Sequence, residues 1–217
     1  MSLQKILNKG KRFISDPHYR LRAMIKMGVY NSLSDEAFLR KIFPKYMGYP
    51  LNLDDPKTFS EKMQWMKLYD RKPIYTTMVD KYEAKNYLAD RIDSKYIIPN
   101  LGVWDSFDEI DFEALPNQFV LKCTHDSGGI VICKDKSKFD KEGARRIINM
   151  SLQRDFYLIA REWPYKNVKR RILAEPYIDE LGSADLLDYK MYSFHGEPKL
   201  TVVCSERFSK GGTRMNY

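Results

Sequence analysis

The 217-residue sequence is 43% hydrophobic and 13% aromatic, enough apolar material for a sizeable core, which excludes a wholly disordered chain. Its net charge of +8 invites a nucleic-acid partner, but residues 1–50 hold ten Lys or Arg against three acids, so seven of the eight charges are local and no nucleic acid is expected. No apolar run approaches the roughly 20 residues of a membrane-spanning helix, and the N-terminus lacks a secretory signal, so a cytoplasmic location is expected.

Residues 1–70 read as a helical, basic N-terminal region. Leu3, Ile6, Leu7, Phe13 and Ile14 lie among its cations, which leaves two readings open: an amphipathic helix resting on an anionic membrane surface, or a basic helix packed on its own domain. Ser34 before Asp35-Glu36 opens a helix whose apolar stripe is Phe38, Leu39, Ile42 and Phe43, and Pro44 ends or kinks it. Thr58 and Glu61 have capping-box spacing, with Phe59, Met63, Met66 and Tyr69 recurring at helical intervals behind them. Residues 75–90 form a further helical segment, and residues 96–99 and 101–104 are short strand candidates. Residues 105–115 are acidic and helix- or turn-like.

From Phe119 the period changes. FVLKC and IVICK are β-rich runs separated by Thr124-His125-Asp126-Ser127-Gly128-Gly129, the composition of a hairpin with a glycine-containing loop. Residues 141–158 return to helical spacing, residues 171–177 form a strand, and residues 189–194 and 199–204 pair through a turn at His195-Gly196-Glu197-Pro198. Cys123, Cys133 and Cys204 are odd in number, have no CxxC spacing and lie in apolar runs, as plain buried thiols do.

Alternation in FVLKC puts Phe119, Leu121 and Cys123 on one side and Val120 and Lys122 on the other. If that second face lines a cleft, Lys122 is a point charge beside a loop whose Ser127, Gly128 and Gly129 N–H groups can cradle phosphate oxygens; the alternative is a lysine on the open face of an ordinary hairpin. Asp126 complicates the phosphate reading. A carboxylate about 6 Å from a phosphate charge, at an effective dielectric near 20, costs on the order of 3 kcal/mol. It must turn outward, cap its own loop or share a divalent cation. His125 can meet a phosphate or a substrate carboxylate, or hydrogen-bond to backbone. The strand ILAEPYI, ending in Glu175-Pro176, has the form of an adenine-binding hinge, because Pro176 retains its carbonyl and Ile178 its N–H; an edge strand stopping at a proline reads the same way.

In order, VDKYEAK, FVLKCTHDSGGIVICKDKSKFD, EWPYKN, ILAEPYIDE and DYKMYSFHGEPK resemble the TupA-like ATP-grasp family over roughly residues 50–204. The resemblance implies an α+β fold of two lobes with mainly antiparallel sheets that grasp ATP. It implies a first lobe over residues 71–173 and a hinge with the start of a second lobe over residues 174–217. Lys81 and Lys122 would reach phosphates under a loop from His125 to Gly129, and Glu175, Pro176 and Ile178 would match the adenine hinge. Asp179 or Glu180 would take the ribose hydroxyls, and Lys190 a phosphate-facing position.

ATP-grasp ligases activate a carboxylate for attack by an amine, using lysines and Mg²⁺ to neutralise charge around the transferred phosphoryl. The TupA-like group is associated with teichuronopeptide and capsule or cell-wall synthesis, so a glycan carboxylate or acidic amino acid is the expected substrate. The family's acidic and Asn metal ligands have no recognisable match here, as in a chain lacking the C-terminal part. Two alternatives stay open: a glycosyltransferase or sugar/phosphoryl transferase of the same pathway, against which the lack of any Asp-x-Asp weighs, and a non-catalytic nucleotide-binding or membrane-surface protein.

Overall fold

The computed structural model describes residues 3–178, 187–205 and 214–216. The chain divides into two compact units, residues 1–176 and 177–217. The first begins with helices α1 (Leu3–Ser15), α2 (Pro17–Lys26), α3 (Asp35–Met47) and α4 (Phe59–Tyr69). Their starts follow from local chemistry. The Asp16 carboxylate accepts from Tyr19 N–H and Pro17 stands in the first turn of α2, while the Ser34 hydroxyl accepts from Ala37 N–H at the start of α3. Pro44 lies inside α3 without ending it, since proline removes one backbone donor while keeping a helical φ; the helix continues to Met47 and stops at Gly48, whose φ of 80° is left-handed. Phe38, Leu39, Ile42 and Phe43 are buried with Leu21 and Leu53 in one apolar cluster.

The capping box of α4 is present, with Thr58 and Glu61 bonded reciprocally. Its periodic stripe, however, faces solvent: Phe59 is 79% exposed, and Met63, Met66 and Tyr69 are exposed as well. The buried Glu61 carboxylate accepts from the N–H groups of Asn52, Lys57 and Thr58. Those bonds fix the rotation of the helix and turn Leu68 towards the core.

The expected single helix over residues 75–90 is two, α5 (Ile74–Val79) and α6 (Glu83–Ala89). The break is chemical. Asp80 is almost fully buried, and its carboxylate accepts from the N–H groups of Tyr82 and Glu83, starting α6 afresh. Residues 96–99 form no strand; a 3₁₀ turn spans Ser94–Tyr96. A four-stranded antiparallel sheet follows, from β1 (Gly102–Trp104), β2 (Phe119–Cys123), β3 (Ile130–Cys133) and β4 (Ile172–Pro176), in the order β1-β4-β2-β3. Helices α7 (Lys141–Leu152) and α8 (Tyr157–Ala160) lie between β3 and β4 in sequence. Phe119, Leu121 and Cys123 pack into a core with Ala144 and Ile148 of α7 and with Phe107 and Phe112, leaving Val120 and Lys122 on the other face.

A polar knot holds the N-terminal helices to this sheet-bearing part. Arg161, in a left-handed conformation at φ 54°, donates to the carbonyls of Tyr30 and Leu33 and pairs with Asp35, which also accepts from Arg71 and Tyr157. The second unit is a three-stranded antiparallel sheet, β5 (Asp188–Phe194), β6 (Glu197–Ser205) and β7 (Arg214–Asn216). Its tight turn is His195-Gly196, both at positive φ (53° and 82°), the two-residue geometry that suits strand twist. The architecture is mixed α+β with antiparallel sheets. Among the described residues no helix is long and apolar enough to cross a membrane.

Candidate functional site

The face of the β1-β4-β2-β3 sheet opposite the apolar core carries a charge cluster. In the antiparallel register Val120 opposes Glu175 and Lys122 opposes Leu173, so Lys122 and Glu175 are diagonal neighbours on one face. Glu175 is 5% exposed. One carboxylate oxygen accepts from Lys122 Nζ, and the other lies 2.5 Å from Lys85 Nζ. Burial works against ionisation of Glu175, but the hydrogen bonds from Lys122 and Lys85 outweigh it and hold its pKa below the usual carboxylate range. Lys85 also donates to Ile98 O and to Asn100 Oδ1, each at 2.8 Å. An ammonium has three donors, and Lys122 uses one on Glu175.

Lys81 enters from the break between α5 and α6. Its N–H donates to Thr124 O, and its Nζ donates to Cys123 O at 2.9 Å and to Asp126 O, so the ammonium sits beneath the loop after β2. Burial lowers its pKa, with the Asp126 carboxylate acting in the opposite sense. Arg171 steadies this approach, reaching Asp80 at 3.0 Å and Glu83 at 2.7 Å while stacking over Tyr82.

Within the loop the conflict posed by Asp126 is resolved by its turning inward. One carboxylate oxygen accepts from Gly129 N–H and the other from the Ser151 hydroxyl on α7. Ser127 and Gly128 are left exposed, and their N–H groups have no partner among the described residues. Gly129 N–H is therefore taken, and this glycine is required by packing: a Cβ there would collide with the side chains of Ser151 and Cys123. His125 is buried as well. Its Nε2 lies 3.1 Å from Ser151 O and 3.2 Å from Arg154 O, both acceptors, so Nε2 carries the proton and Nδ1 is a buried lone pair without a partner among the described residues. Burial lowers its pKa, and the neutral ring anchors the loop to the end of α7 instead of lying with Ser127 and Gly128.

Pro176 is the last residue of β4 and opposes Phe119. Because β4 lies between β1 and β2, the segment is not an edge strand, and the proline is accommodated by its terminal position. Ile178, exposed, and Lys190, whose Nζ is 2.8 Å from Asp188, belong to the second unit. Asp179 and Glu180 lie outside the described residues. The structure thus brings Lys81, Lys122, Glu175 and the loop together within the first unit. Lys85 was missed although it stands four residues after Lys81 in VDKYEAK, a helical spacing that was available. Arg171 gave no signal distinguishing it from its neighbour Arg170.

Chemically, the assembly offers two lysine ammonium groups and two unpaired N–H groups beside a buried carboxylate, donors suited to an anion with several oxygens. Among the described residues no three His, Cys, Asp or Glu gather into a group that would hold a metal ion. A search among curated proteins and one among solved structures found no match. A family model described as TupA-like ATPgrasp matches residues 61–215, well over half of the chain and the whole of the cluster just described. The chain belongs to the TupA-like ATP-grasp family.

Proposed function

We propose that this chain binds ATP through Lys81, Lys122 and the loop at Ser127 and Gly128, and that it acts as an ATP-dependent carboxylate–amine ligase in bacterial surface-polysaccharide synthesis, capsule or teichuronopeptide. The supporting observations are that Lys81 Nζ sits beneath a loop whose Ser127 and Gly128 N–H groups are unpaired among the described residues, and that Lys122, on the strand leading into that loop, spends one donor on Glu175. In this reading residues 71–173 are the first ATP-grasp lobe and residue 174 opens the hinge, where Pro176 presents its carbonyl to adenine. Ile178 and Lys190 are added from the family resemblance and carry no part of the geometric argument. His125 acts by anchoring the loop.

ATP supplies the phosphoryl group that activates the acceptor carboxylate for attack by an amine. Lys122 directs its two remaining donors to phosphate oxygens while Glu175 accepts the third. An ammonium about 4 Å from one phosphate charge gains on the order of 4 kcal/mol at an effective dielectric near 20. Lys81, whose charged form is disfavoured by burial, regains that stability when an anion arrives above the loop. The family generally uses Mg²⁺ with ATP; among the described residues no group of His, Cys, Asp or Glu side chains fits that ion.

The acceptor is a glycan carboxylate or acidic amino acid. The setting is the cytoplasm, where α1, with Leu7 and Ile14 exposed among cations, can rest on an anionic membrane surface. The test is product mass analysis after incubation with ATP, Mg²⁺, uronic-acid glycans and acidic amino acids. Amide formation with ADP and phosphate is expected, while a glycoside or a stable phosphorylated product would replace the ligase reading with a transferase.

A further inference from the structure

A cavity lies away from the lysine loop. Its volume is about 390 Å³, within the range of small-molecule sites, and α2, α3, α4 and α8 line it, leaving it open on one side. Ile25, Leu39, Ile42, Phe43 and Ile159 make its walls apolar, and Tyr46 and Met47, also in the lining, are exposed on their outer sides. Three cations share that lining: Arg22 and Lys26, one helical turn apart on α2, and Lys67 on α4. Arg22 and Lys26 make no hydrogen bond or ion pair among the described residues. Lys67 donates to Ala160 O at 3.0 Å, and burial lowers its pKa while the Glu162 carboxylate acts in the opposite sense. Helices α2 and α3 precede residue 61, where the family match begins, so most of the lining, Arg22 and Lys26 included, lies outside that match.

Apolar walls alone would suit any hydrocarbon. Two exposed cations with no ion pair among the described residues favour one whose head is anionic, because a carboxylate or phosphate supplies the charge that Arg22 and Lys26 lack. We infer that this cavity binds a single-chain anionic amphiphile, its hydrocarbon tail among Leu39, Ile42 and Phe43 and its head at Arg22 and Lys26. The inference is independent of the nucleotide reading and stands or falls separately from it.

The test is calorimetric titration of the full chain with octyl, decyl and dodecyl monophosphate, each below its micelle concentration, and with dodecyl maltoside as the uncharged head. Affinity is expected to rise about fourfold per added methylene until the cavity fills. It should fall about tenfold in R22A/K26A and be abolished in Gln64→Trp, which places an indole in the cavity from a partly exposed lining position. Unchanged thermal unfolding of R22A/K26A separates loss of binding from loss of fold. No binding, binding independent of chain length, equal affinity for the maltoside, or full affinity in R22A/K26A would each overturn the inference.

Discussion

Glu175→Gln tests the charge cluster most sharply. The carboxylate is 5–6% exposed and serves two ammonium groups, Lys85 at 15% and Lys122 at 26% side-chain exposure. Removing one partner of a buried pair costs about 3–5 kcal/mol, because the remaining charge stays desolvated. Two features reduce that figure. Lys85 keeps Ile98 O and Asn100 Oδ1, and Lys122 can turn partly towards water. The expected loss is therefore about 2–4 kcal/mol, which for a chain of this size corresponds to roughly 4–16 °C in Tm. Urea unfolding followed by tryptophan fluorescence, to which Trp104 on the sheet core contributes, reads it. A double-mutant cycle with Lys122→Met should show coupling of at least about 1 kcal/mol. The pH dependence has a fixed sign. The folded pKa of Glu175 is depressed, so its stabilisation is present above the ordinary value of 4.5 and is lost as pH falls through the folded value. A Glu175→Gln protein within 0.5 kcal/mol of the parent, or additive with Lys122→Met, would refute the reasoning.

Gly129→Ala should cost about 1–3 kcal/mol by forcing a methyl group against Ser151 and Cys123, whereas Gly128→Ala, whose Cβ would be 3.6 Å from Arg154, should stay within about 0.5 kcal/mol; equal effects in thermal unfolding would contradict the packing role. Ser151→Ala leaves the buried Asp126 carboxylate without its hydroxyl donor and should cost about 1.5–3 kcal/mol, with faster amide exchange at Gly129; an unchanged exchange rate would separate that side chain from loop order. Nucleotide affinity should decline with rising pH earlier than an ordinary lysine allows, because burial holds the pKa of Lys81 below the ordinary lysine value, and Lys81→Arg should flatten the decline; matching slopes for the two proteins would show that Lys81 does not carry it.

What was legible in the sequence was local. Ser34 at the start of α3, the Thr58–Glu61 box, the alternation that places Lys122 opposite Phe119, Leu121 and Cys123, and the His195-Gly196 turn all depend on neighbours a few residues away. The α4 stripe shows the limit of periodicity, which identifies a face but not its direction; the buried Glu61 decides that. Asp80 reads as one more polar residue in a helical run until its burial and its bond to Arg171 reveal why the helix restarts. The pairing of Lys122 with Glu175 spans 53 residues and depends on the β2–β4 register. Asp126 posed a definite problem in the sequence, and three solutions were open. The one adopted needs Ser151, 25 residues away on a different element.

Whether Lys122 holds ATP phosphates is decided by calorimetric titration with a non-hydrolysable ATP analogue and Mg²⁺, run in parallel on the parent chain and on Lys122→Ala. Micromolar binding that weakens at least about tenfold in the variant is the predicted result, since a charged hydrogen bond contributes about 1.5–3 kcal/mol. Equal binding by the two proteins would contradict it.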